Sequence, residues 1–84
     1  VQHMPPMFTQ LLAERLTKLS KTPTVEAKSG MELSPGKAWI APGDWHLVVE
    51  KLDGRARTRI QQDPRENGCR PAFDPLLRSV AQVY

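Results

Sequence analysis

The stretch KAWIAPGDWHLVVEKLDGRARTRIQ, residues 37–61, holds two different kinds of strand in one continuous run. Lys37-Ala38-Trp39-Ile40-Ala41 is apolar without alternation and stops at Pro42-Gly43, which suits a strand covered on both faces, as in a parallel sheet. Residues 46–51 and 55–61 instead flank Leu52-Asp53-Gly54, and Asp-Gly between two such runs is a strong short-range signal for an antiparallel hairpin. A covered strand followed by a hairpin calls for helices elsewhere in the chain to supply the cover.

Those helices are legible on both sides. Phe8, Leu11, Leu12, Leu16 and Leu19 recur at steps of three and four and predict a helix over about Met7–Leu19, with Gln10, Glu14, Arg15 and Lys18 facing away. Pro6 suits its first turn. Thr24–Lys28 reads as a short strand, and Ser29–Gly36 is turn-rich. Asp63–Pro71 reads as a polar loop. After it, Asp74-Pro75 offers an N-cap and a first-turn proline for a second helix that carries Leu76, Leu77, Val80, Val83 and Tyr84. The fold class expected is α/β: a partial doubly wound, Rossmann-like sheet with an antiparallel hairpin attached.

At 84 residues the chain holds one domain at most, near the lower size limit for a self-sufficient core. Hydrophobic residues at 39% and charged residues at 25% fit a soluble globular class. No apolar run approaches the roughly 20 residues of a membrane span, and the start has no signal-peptide pattern, so a cytoplasmic location without membrane insertion is expected. The single cysteine, Cys69, builds no disulfide framework and reads better as a small, partly buried side chain than as a nucleophile. Arg55, Arg57 and Arg59 share one strand face, which reads either as a solvated face or as a patch for an acidic protein; without interleaved aromatics no nucleic acid is expected.

Val1-Gln2-His3-Met4 has the character of a strand's last residues, stopped by Pro5-Pro6, which has no N–H for a ladder. His3 would then stand outside the carboxyl end of a strand, where open α/β sheets bind ligands. It is either catalytic or a histidine that bonds loop backbone. His3 and His46, with Asp44 and Cys69 as companions, form no metal-ligand pattern, and neither a phosphate-binding glycine loop nor a Gly-x-Ser-x-Gly elbow is present.

Three ordered pieces, VQHMPPMFTQLLAERL, GMELSPGKAWIAPGDWHLVV and NGCRPAFDPLLRSVA, resemble the catalytic domain of the chemotaxis protein-glutamate methylesterases, the CheB family. The resemblance spans nearly the whole chain. It implies a serine hydrolase on a doubly wound α/β fold that demethylates glutamate methyl esters, and deamidates certain glutamines, on the cytoplasmic domains of chemoreceptors. It also implies a preceding receiver domain in the parent chain and no cofactor. In that family a serine, a histidine and an aspartate form the triad, and by the match to His-Met-Pro the histidine is His3, the general base. The family's serine lies upstream of this segment and its aspartate downstream, so residues 1–84 are expected to be part of one catalytic domain, incomplete at both ends, inactive alone and prone to self-association. His46 fits the pattern without a catalytic role; a structural histidine bonding the turn at Pro42-Gly43 is expected. Asn67 and Arg70 are expected to line the cleft. The competing reading is a non-enzymatic module that binds an acidic protein through Arg55, Arg57 and Arg59.

Overall fold

A computed structural model describes Val1–Gln2 and Met4–Tyr84; His3, and with it the predicted catalytic position, lies outside the described residues. The elements run α1 (Pro6–Ser20), β1 (Thr24–Glu26), β2 (Ala38–Ile40), β3 (His46–Leu52), β4 (Arg55–Gln61) and α2 (Phe73–Val83). β1 and β2 pair in parallel with Val25 opposite Trp39, and β3 and β4 pair antiparallel from Leu52 opposite Arg55 to His46 opposite Gln61. The α/β class and the attached hairpin are therefore as expected. Asp53 and Gly54 both take positive φ, +53° and +77°, as a two-residue turn between twisted strands requires.

Three local readings need correction. Val1, Gln2 and Met4 belong to no strand, because among the described residues no neighbour offers them a ladder. Asp74 does not cap α2: the cap position is Ala72, in extended backbone, and Asp74 sits in the first turn. There its charge faces the positive end of the helix dipole, while a side chain of β3 holds the Ala72 N–H. The leucine stripe of α1 is not its buried face either. Leu11 and Leu19 are exposed, whereas Thr9 and Ala13 are buried. Small residues let the helix lie close to β1, and hydroxyls then make the joint. Thr17 accepts from the Thr24 N–H at 2.8 Å and lies 2.9 Å from the Thr24 carbonyl; Thr9 bonds the Glu26 carboxylate.

The apolar centre is small, consisting of Ala27, Ala41 and Leu47 with Trp39, Ile60 and Leu76 packed against them. α2 lies over β3, where Ser79 accepts the Val49 N–H at 3.0 Å and donates to the Leu76 carbonyl at 2.7 Å. This covers an edge donor of the hairpin that β4 does not reach. The opposite edge is covered by the turn-rich crossover between β1 and β2. Gly30 and Leu33 donate to the Thr58 and Ala56 carbonyls, and Thr58 donates back to Met31. The Thr58 side chain, 1% exposed, completes the joint by bonding the Lys28 carbonyl and accepting the Met31 N–H at 3.1 Å.

Removing that hydroxyl strands two backbone groups in a covered place. Thr58→Val is expected to cost about 1–3 kcal/mol, read from the urea midpoint, with Thr58→Ser recovering most of the loss. Equal midpoints for the wild type and Thr58→Val would show that the crossover is held by other means.

Candidate functional site

The turn at Pro42–His46 carries the features that decide the arrangement. The Trp45 N–H donates to the Pro42 carbonyl at 3.2 Å, and Asp44 takes φ +68°, a left-handed conformation that a short polar side chain tolerates. Gly43 is buried, and its backbone lies directly on the residues that follow His3. A Cβ there would stand 2.6 Å from the Met4 carbonyl oxygen and 2.5 Å from the Pro6 nitrogen, so no larger residue fits without moving that segment. The Gly43 N–H donates to Thr9 Oγ1 at 3.3 Å, and Thr9 itself is fully buried. Gly43, Thr9 and Glu26 thus fix the entry to α1 from one side.

His46, which closes this turn and opens β3, is fully buried. Its Nδ1 accepts the Ala72 N–H at 3.2 Å and its Nε2 lies 3.1 Å from the Pro64 carbonyl. A backbone N–H can only donate and a carbonyl can only accept, so the ring carries its proton on Nε2. A structural role was expected and the structure gives one, but with different partners. Instead of the Pro42-Gly43 turn, the imidazole clamps both ends of the loop from Pro64 to Ala72. The reason is position: His46 opens β3 facing inward, away from the turn and toward the strand of loop that returns under it.

That loop contains two features. Glu66-Asn67-Gly68-Cys69 closes a tight turn in which Asn67 and Gly68 both have positive φ, +51° and +76°, and Glu66 and Cys69 exchange backbone hydrogen bonds. The Asn-Gly pair, the same signal that located the 53–54 turn, marks it in the sequence. Arg70 follows and reaches back to Asp44, with Nε at 3.1 Å and one terminal nitrogen at 2.8 Å from the same carboxylate oxygen; the other terminal nitrogen donates to the Gln62 and Asp63 carbonyls. The Arg70–Pro71 peptide is cis. Arg65 joins Asp44 at 3.1 Å. Asp44 therefore holds two guanidinium groups at the foot of the Met4–Pro6 segment, and Met4, Pro5, Pro6, Asp44, Arg65 and Arg70 line a hollow there.

Of the residues singled out from sequence, Arg70 lines this hollow, and Asn67 is an exposed turn residue outside its lining. Cys69 is partly buried at the edge of the same region. The basic face of β4 is largely compensated: Arg55 pairs with Glu32, Arg59 with Glu50, and Arg57 donates to the Gly30 carbonyl. No helix is long and apolar enough to cross a membrane among the described residues. The residues that sequence reading missed are Gly43, Thr9 and Arg65.

The family model for CheB methylesterase matches residues 1–84. The chain belongs to the CheB methylesterase family. It is 50% identical over 84 residues to a protein-glutamate methylesterase/protein-glutamine glutaminase of Trichodesmium erythraeum, covering all of this chain and 24% of that protein. To a protein of the same name from Rhodospirillum rubrum it is 49% identical over 83 residues, covering 99% of this chain and 21% of that one. The crystal structure of the Thermotoga maritima CheB methylesterase catalytic domain superposes with a TM-score of 0.93 at 41% identity, over 99% of this chain and 44% of that one. This member thus spans about a quarter of those curated relatives and under half of the solved catalytic domain.

Electrostatics supply a test of the Asp44 cluster. Arg70, by hydrogen bonding first and by charge second, with Arg65 adding to both, holds the Asp44 carboxyl below the ordinary carboxylate range. A group depressed in this way stabilises the fold fully above the unfolded value of about 4, and that contribution disappears as pH falls through the lower folded value. Asp44→Asn keeps a residue that tolerates positive φ. The stability gap between wild type and Asp44→Asn, measured by denaturant titration, is expected to be constant above about pH 4 and to shrink below it. A gap independent of pH down to 2 would contradict the assignment.

Proposed function

We propose that this segment is the histidine-bearing centre of a serine-type methylesterase domain, with His3 as general base. The observation that carries the reading is the family match, which runs over residues 1–84 and so includes position 3. The substrates are methyl esters of glutamate side chains, and certain glutamines, on the cytoplasmic domains of chemoreceptors, in a parent chain under the control of a receiver domain. The names of the two curated relatives, methylesterase and glutaminase, support both activities. Cytoplasmic placement follows from those substrates.

The chemistry is acyl transfer to a hydroxyl. The imidazole takes the serine proton as Oγ attacks the ester carbonyl, then returns a proton to the departing methoxide, which leaves as methanol. Water repeats the sequence on the acyl-enzyme and releases the glutamate carboxylate. An aspartate bonded to the other ring nitrogen holds the tautomer that presents a lone pair to the serine. Serine and aspartate come from stretches of the domain other than residues 1–84. What this segment contributes beside the base is a fixed backbone directly after it. The close seat of Met4–Pro6 on Gly43 and the bond from Gly43 to the buried Thr9 leave the residues after His3 little freedom.

In the complete catalytic domain, His3→Ala is expected to lower kcat for methanol release from a methylated receptor by about a thousandfold or more. The 84-residue segment alone is expected to match the buffer rate. Full activity in the variant, or turnover by the segment alone that His3→Ala abolishes, would overturn the proposal.

A further inference from the structure

The hollow beside Met4–Pro6 has a use beyond holding the loop, and its two arginines differ in what they are free to do. Arg70 is spent. Its side chain is 18% exposed, and each of its three nitrogens is engaged, two on Asp44 and one on the Gln62 and Asp63 carbonyls. Arg65 is 54% exposed and bonds Asp44 through one terminal nitrogen. Both guanidinium groups bear on the same oxygen of Asp44, so one negative charge answers two positive ones. Glu66, the residue next to Arg65 in the chain, pairs with Arg78. Among the described residues, Arg65 therefore shares its one counter-charge, keeps N–H donors unengaged, and stands on the rim of a hollow whose wall is the segment immediately after His3.

We infer that Arg65 is a specificity residue: it binds a carboxylate on the protein substrate next to the methyl ester being cleaved. The inference rests on the esterase reading above. The chemistry favours it because the substrate is a protein bearing glutamate side chains, and every completed turnover leaves a new carboxylate on that surface. A guanidinium with two nitrogens unengaged takes a carboxylate in a forked, charge-assisted pair. Asp44 keeps the arginine aimed without neutralising it, since Arg70 already claims the same oxygen. Partly exposed pairs of this kind act through encounter and substrate affinity, and they weaken with salt.

The test uses the complete catalytic domain and two synthetic peptides, each with one glutamate methyl ester, flanked in one by glutamates and in the other by glutamines. At low salt kcat/KM is expected to be about fivefold higher for the glutamate-flanked peptide, the size an exposed ion pair delivers. Arg65→Gln is expected to bring that ratio to about one and Arg65→Glu to invert it, and 0.5 M salt should erase it in the unaltered domain. Arg55→Gln, on the remote hairpin and paired with Glu32, is expected to leave rate and ratio as they are. An unchanged ratio in Arg65→Gln, or an equal loss in Arg55→Gln, overturns the inference. Failure of the unaltered domain to hydrolyse either peptide would instead strike the esterase reading on which it rests.

Discussion

One contact sets the rest: the Met4–Pro6 backbone fills the place a side chain at position 43 would take, with the Pro6 nitrogen 2.5 Å from where a Cβ on Gly43 would stand. It brings the turn after β2 into direct contact with the segment that leads from His3 into α1. The next residues of the same turn each hold something else. Asp44 gathers Arg65 and Arg70, and His46 clamps the Pro64 and Ala72 backbone. Four consecutive residues, Gly43 to His46, therefore tie the chain's start, its 62–72 loop and the entry to α2 to one point.

The ties are polar because the apolar centre is too small to define positions by packing alone. Its fully buried members are mostly alanines, with Leu47 the one large side chain. Alanines let elements approach closely but bury little surface, so they contribute modestly at roughly 25 cal/mol per Å². Buried or half-buried hydroxyls and one imidazole do the specifying instead. Thr9 and Thr17 join α1 to β1, Thr58 joins the crossover to β4, and Ser79 joins α2 to β3. Each pairs a backbone or carboxylate group that would be costly to leave alone, which makes the geometry sharper than the core size suggests.

This division explains what could be read from sequence. The hairpin was legible because Asp53-Gly54 is the pair that a tight turn demands, and β2 because Pro42-Gly43 stops its apolar run, although the strand is half-buried along its length and not covered on both faces as expected. The buried face of α1 was not, since Thr9, Ala13 and Thr17 lie beside the leucines and periodicity weights leucine. Hydrophobicity patterns have no entry for a hydroxyl that joins a helix to a strand. The Asn67-Gly68 turn was within reach of the rule that found its counterpart. His46 was recognisable as structural, whereas its partners depended on a loop path that 18 and 26 residues of chain separation conceal. Around the hollow, Arg70 was singled out from sequence; Gly43 was not, because its importance lies in a contact with residues far off in sequence.

The central claim is that the seat of Met4–Pro6 on Gly43 fixes the backbone directly after the proposed general base. The direct measurement is kcat and KM of the complete catalytic domain carrying Gly43→Ala, with unfolding followed on the same sample. A displaced but folded His3 segment predicts cooperative unfolding, KM within about twofold, and kcat lowered about ten- to a hundredfold, the range that a misplacement near 1 Å produces. A cooperatively folded Gly43→Ala domain with unchanged kcat would contradict it.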